Sequence, residues 1–191
     1  MTPARLRLLS LLGPLAAAGL SLLAWTQVWV TLTLDTGAVV EARGDVAAST
    51  VPALSLALLA LTAALSLVGR TPRVVLAVVE LALGVGIAAA SLGVALAPVD
   101  RAAPAVTALT GIDGEGAVAD LVVSSATSAW VWLALAGGVV AVIAGLFTAL
   151  TTHRWPGRTR RYDTQDARGR VGEDRLGDWD ALSDGDDPTA R

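Results

Sequence analysis

The sequence predicts an all-α membrane protein, a four-helix transmembrane bundle with both termini in the cytoplasm, a small extracytoplasmic β cap and a disordered cytoplasmic tail. Three observations predict it: four long apolar windows, arginines gathered on the connections at one side of them, and charge crowded into the residues after position 152. Of 191 residues, 54% are hydrophobic and 16% charged, with a mean hydropathy of +0.63. A soluble domain carries roughly 25% charged residues, so the low figure points to lipid. There is no cysteine, which excludes disulfides, thiolate metal sites and lipid-modified cysteine. All basic residues are arginine.

A span needs roughly 20 mostly apolar residues to cross about 30 Å of hydrocarbon. The windows lie at about residues 8–28, 51–69, 74–97 and 129–150, joined by outer loops 29–50 and 98–128. Together, residues 1–152 form the membrane domain and 153–191 the tail. Arg5 and Arg7 precede the first span, Arg70 and Arg73 bracket the turn between the second and third, and His153, Arg154, Arg158, Arg160 and Arg161 follow the fourth. The other two loops carry only Arg43 and Arg101 among many acidic residues. The positive-inside bias therefore puts both ends and the Arg70–Arg73 turn in the cytoplasm. Arg5-Leu-Arg7 followed by an apolar run is also how a secretory signal begins. This run continues to Val30 with no polar cleavage region, so it is read as a retained span.

Trp25 and Trp29 at the outer end of the first span, and Trp130 and Trp132 at the outer start of the fourth, fit an interfacial belt anchored in the lipid bilayer. Small residues recur within the spans: Gly13, Ala17 and Gly19; Gly84, Ala88 and Ala89; Gly137, Gly138, Ala141 and Gly145. Such faces let helix backbones approach closely. Pro14 is expected to kink the first span.

In the first outer loop, Val30 to Leu34 and Ala38 to Ala42 alternate around Asp35-Thr36-Gly37, which reads as a β-hairpin. Val118 to Val123 in the second loop reads as a third strand. The tail is basic next to the membrane, suited to anionic headgroups, then acidic with few apolar residues, a composition of disorder. Within it, Trp179-Asp-Ala-Leu182 places two large apolar residues at helical spacing with no core to receive them, which suits a docking segment for a cytosolic protein.

Glu80 is the one ionisable residue inside a span. It lies two helical turns above Arg73, about 10 Å into the membrane, where a carboxylate is costly unless paired, protonated or wetted. Thr62 and Ser66 on the preceding span are its expected hydrogen-bond donors. Two roles compete: a neutral carboxyl acting as glue between helices, which is favoured, and a proton- or cation-coupled site for transport. Nothing has the spacing of a metal site, a nucleophile elbow or a phosphate-binding loop. The expectation is a non-enzymatic protein with no cofactor, no metal and no nucleic-acid partner; its oligomeric state is left open.

Two tail segments carry a family resemblance. Trp155-Pro-Gly-Arg-Thr-Arg-Arg161-Tyr162 follows the last span, and Trp179-Asp-Ala-Leu-Ser-Asp-Gly-Asp-Asp-Pro188-Thr189 lies near the end. With the Trp at the outer end of the first span and Ala129-Trp-Val-Trp-Leu-Ala-Leu-Ala-Gly-Gly138, they resemble the tryptophan-biosynthesis-associated membrane proteins encoded in or beside actinobacterial tryptophan operons. Arg158 stands where that family usually has Met, and Ser183 where it usually has Asp. The resemblance implies association with tryptophan biosynthesis and carries over no reaction, ligand or functional residue. It strengthens Trp179 and Leu182 as docking candidates, beside Trp155, Tyr162 and Pro188. The leading expectation is a membrane accessory protein whose tail contacts a cytosolic partner. The alternatives are a small transporter of tryptophan or a related aromatic solute using Glu80, and an outer-face sensor.

Overall fold

A computed structural model describes residues 3–151; the tail, with Trp155, Tyr162, Trp179, Leu182 and Pro188, lies outside the described residues. The described chain is mostly helical. Helix α1 (Pro3–Trp25) leads into strands β1 (Val28–Leu34) and β2 (Val39–Arg43), a short helix α2 (Gly44–Ala47), and helices α3 (Val51–Leu67) and α4 (Arg70–Leu96). Helices α5 (Pro98–Thr110) and α6 (Glu115–Leu121), strand β3 (Val122–Thr127) and helix α7 (Ala129–Thr151) complete it.

Three helices are long and apolar enough to cross a membrane, over Leu8–Trp25, Pro72–Leu96 and Ala129–Thr151. Helix α3 is apolar but has 17 residues, which at 1.5 Å per residue is about 25 Å, short of a 30 Å hydrocarbon core. The chain runs unbroken in helix through Pro14.

The long helices are built inside out relative to a soluble protein. Helix α1 buries Ser10, Pro14, Ala17, Ser21 and Ala24, and α3 buries Val51, Ser55, Leu58, Thr62 and Leu65. Helix α4 buries Arg73, Ala77, Glu80, Gly84, Ile87, Ser91 and Val94, and α7 buries Val131, Ala134, Gly138, Ala141, Gly145 and Thr148. Each stripe alternates spacings of three and four residues, the 3.5-residue period of left-handed helix packing. The large side chains face outward instead, among them Leu15, Leu23, Leu56, Val75, Ile143 and Leu146. Small and hydroxylic residues inside with large aliphatics outside is the arrangement that suits lipid.

Helix α4 packs most extensively on α7, α7 also on α1, and α3 on both α1 and α4. Glycine makes the α4–α7 contact possible. A Cβ on Gly138 would stand 2.6 Å from the Ala88 amide nitrogen, and one on Gly84 2.7 Å from that of Val142. The two backbones touch, so even a methyl group has no space.

The three strands form one antiparallel sheet in the order β2-β1-β3. The hairpin forms where alternation places it: Leu34 N–H donates to Ala38 O and Gly37 N–H to Leu34 O, both at 2.9 Å. Gly37 has φ +80°, a backbone geometry that favours glycine. The third strand lies downstream of its expected place. Residues 118–121 belong to α6, and β3 pairs Val122 and Ser124–Thr127 with β1. Helix α5 was not anticipated either; its Pro98 and Pro104 read as loop residues, yet Pro98 occupies the first turn, where proline is tolerated.

The sheet and α5 sit at the end of the long helices where α1 stops and α3 and α7 start. One core joins them, from Ala24, Val51, Val94, Val131 and Ala134 of the helix ends through Trp29, Leu32, Val40 and Ala42 of the sheet to Ala102, Val106 and Val118. Trp29 corrects its expected role as an interfacial anchor. The β1–β2 register slips between Val28 and Val30, and Trp29 and Val30 are both wholly buried. The Trp29 indole N–H donates to the Ala24 carbonyl at 2.7 Å, sharing that acceptor near the end of α1 with the Gln27 backbone N–H at 3.0 Å.

The α4–α7 contact yields a paired test. Gly138→Ala is expected to lose about 1–3 kcal/mol, the usual range for overpacking. Gly19→Ala, with nothing within 4 Å of the added Cβ, is expected to be neutral. Reversible unfolding in detergent, followed by circular dichroism, measures both.

Candidate functional site

Glu80 lies in the α4 stripe between Ala77 and Gly84, on the side that meets α7. It has no solvent exposure. Gly145 of α7 brings the other wall close: a Cβ there would stand 3.0 Å from the Leu81 amide nitrogen and 3.2 Å from the Ala77 carbonyl. The two backbones therefore pack closely at the level of Glu80.

The polar group facing Glu80 is the Thr148 hydroxyl, one turn past Gly145 on the same α7 stripe. The interaction is loose, since among the described residues neither Glu80 carboxyl oxygen makes a hydrogen bond of regular geometry. Thr62 is buried and donates to its own helix, at Leu58 O over 2.7 Å. Ser66 is exposed and donates to Ala63 O over 2.6 Å. Hydroxyls four or three residues past a carbonyl find that acceptor within their own turn. Thr148 was missed because it is far away in sequence. The signal that finds it is phase: counted back from Thr148 by threes and fours, Gly145, Ala141 and Gly138 fall on one stripe.

The same count brings out a second polar level. Ser21, Ser55 and Ser91, on α1, α3 and α4, are all fully buried. Ser91 donates to Ile87 O at 2.9 Å, while the Ser21 and Ser55 hydroxyls have no hydrogen-bond partner among the described residues. Between this level and Glu80 lies an apolar cluster that includes Ala17, Leu58, Ile87 and Ala141.

At the other end of α4, Arg73 is buried and donates to Val68 O at 2.8 Å, tying the α3–α4 turn together. Of the remaining expected anchors, Trp25 and Trp130 are partly buried against the cap core, and Trp132 is 55% exposed. Among the described residues, no group of three or more His, Cys, Asp or Glu is placed to hold a metal ion.

A family model described as "Tryptophan-associated transmembrane protein" matches residues 7–189. The chain belongs to that family. The match takes in the long helices, the sheet and both tail segments that carried the resemblance, and the family's description gives a tryptophan association and a membrane location. No curated protein and no solved structure matches.

The packing around Glu80 sets its response to substitution. Glu80→Gln keeps the shape and is expected to stay within about 1 kcal/mol of the parent. Thr148→Val should cost roughly 0.6 kcal/mol, the average of a polar contact between membrane helices. Glu80→Lys should prevent stable folding, because no acid lies at that level to pair with it. Detergent unfolding curves of the three variants provide the check.

Proposed function

We propose that the protein is a non-enzymatic, multi-pass accessory protein of the plasma membrane, associated with tryptophan biosynthesis, that docks a cytosolic partner through its tail. The observation that carries this reading is the closed helix interior. Where α4 meets α7, backbone touches backbone at Gly84, Gly138 and Gly145, so the helix pair that holds Glu80 offers no passage for a solute. With the interior given to packing, recognition falls to the parts outside it. The tail segment Trp179 to Thr189 is the most specific of these, since its Trp and Leu serve no core that its composition can build.

The orientation belongs to the same proposal. Four spans, with both ends and the Arg70–Arg73 turn in the cytoplasm and the sheet outside, follow from the arginine distribution. Connectivity supports counting α3 as a span. Helices α1 and α4 both end beside the sheet, and α3 is the segment that returns the chain between them. Its short length is accommodated by local thinning of the bilayer at modest cost.

A second reading, a small transporter of tryptophan or a related aromatic solute, rests on Glu80 itself. A fully buried acid without a regular hydrogen bond is a functional candidate in any membrane helix. Transport would require α4 and α7 to separate. Tryptophan flux in proteoliposomes that Glu80→Gln abolishes would establish this reading against the accessory role.

The absence of native cysteine makes topology directly measurable. Thr36→Cys is expected to react with a membrane-impermeant maleimide on intact cells, and Gly69→Cys only after permeabilisation. The reverse pattern overturns the orientation. For docking, crosslinked pull-downs from native cells with intact protein and with a form lacking residues 153–191 should differ by at least one cytosolic protein, and identical partner sets end that proposal.

A further inference from the structure

Where α2, α3, α4 and α5 meet beside the sheet, a groove of about 260 Å³ opens, with Ser49, Thr50, Ala90, Asp100, Arg101 and Pro104 among its lining residues. Arg101 lies across α4 at Gly93, where a Cβ would stand 3.1 Å from its Nη2 atom. Any larger residue at 93 would push the guanidinium away. Asp100 and Arg101 are both exposed, and among the described residues neither side chain has an ion pair or hydrogen bond. The Thr50 hydroxyl precedes α3 without capping it. The groove thus has an apolar floor, including Ala47, Ala48 and Ala90, and a rim with one unpaired cation, one unpaired anion and two hydroxyls.

That rim selects its ligand by charge. A simple anion would meet Arg101 and be repelled by Asp100, and a simple cation would meet the opposite conflict. A molecule carrying both signs a few ångströms apart uses both residues. We infer that the groove binds a small zwitterion, its anionic group on Arg101 and the Ser49 and Thr50 hydroxyls and its ammonium on Asp100. Guanidinium is suited to the anionic end because its forked donors match a carboxylate or phosphate. The volume lies just below the roughly 300–1,000 Å³ of pockets for drug-sized ligands, which fits an amino acid or the ethanolamine phosphate headgroup of a lipid. Ala90 is six residues below the end of α4 at Leu96, about 9 Å by helix rise, so the groove reaches from the rim down the flank of the helices. Both sources can therefore approach. The side of the membrane they approach from rests on the proposed orientation; the binding does not.

The test uses full-length protein. One arm measures equilibrium binding of radiolabelled L-tryptophan, then of the other amino acids, in lipid-free detergent. The other compares, by native mass spectrometry, retention of phosphatidylethanolamine with that of phosphatidylglycerol, which lacks the ammonium. Saturable amino-acid binding identifies the free ligand, and a preference for phosphatidylethanolamine identifies the lipid. In the arm that responds, Asp100→Asn and Arg101→Gln should each weaken binding at least tenfold without changing the melting temperature, since neither side chain has a partner to lose. Ala90→Leu should do the same by filling the floor. In the amino-acid arm, blocking the ligand's amine by acetylation should match Asp100→Asn. Removing residues 153–191 should leave binding unchanged, so failure of tail docking and failure of this site are read separately. The inference is overturned if no amino acid binds saturably and phosphatidylglycerol is retained as well as phosphatidylethanolamine, or if, in the arm that responds, both charge variants bind within twofold of the parent.

Discussion

Backbone contact between α4 and α7 is the constraint on which the rest of the fold depends. Lipid tails are as apolar as leucine, so burying leucine between membrane helices gains little, and association relies on close packing and polar contacts. Gly84, Gly138 and Gly145 bring the two backbones together, and the close approach encloses everything beside it. Gly137 continues the pattern toward α1, where a Cβ would stand 3.0 Å from the Ala17 carbonyl. The wide, shallow surfaces of Gly and Ala are therefore the interacting parts of these helices. Their leucines and valines mainly meet solvent hydrocarbon.

The same constraint explains where polar groups are tolerated. Ser91 and Thr62 return their hydroxyl protons to carbonyls one turn back, so they cross the interior without exposing an unpaired donor. Glu80 has no such local solution. It is accommodated because α7 presents a hydroxyl at the right level and a glycine next to it. The cap obeys a different rule, being built as a soluble domain would build it. Large side chains such as Trp29 and Leu32 point inward and sit on the helix ends. The transition falls between Trp25 and Trp29, where the buried stripe of small residues gives way to a core of large ones.

What sequence reasoning could see divides along that line. Span positions were legible because lipid demands long apolar runs, and α1, α4 and α7 all begin or end within a few residues of the expected limits. The hairpin was legible because its turn and both alternating strands are local. Strand β3 was not: Val122 to Thr127 pairs with β1 across some ninety residues of chain, and only that pairing distinguishes it from the apolar segment just before it. Trp29 was misread for a related reason. At the edge of a span, tryptophan's amphipathic ring suits the interface, and only the irregular register of β1 turns it into the core. Thr148 was hidden because the partner of a buried acid is set by which helices touch. The 3.5-residue stripe carries that information once the neighbours are known.

These distinctions bear on where function resides. A transport pathway needs two arrangements of the helices around its site, and a seam in which backbone packs directly on backbone is expensive to open. Glycine pairs can still slide, so the closed seam argues about cost, not possibility, and Glu80 is the group whose exposure would set that cost. The cap faces no such barrier. Its groove is already open, its two charges are not committed to each other, and Gly93 lets the Arg101 guanidinium lie close against α4. Binding in that groove would leave the glycine seam as it stands, so it requires no second arrangement of α4 and α7.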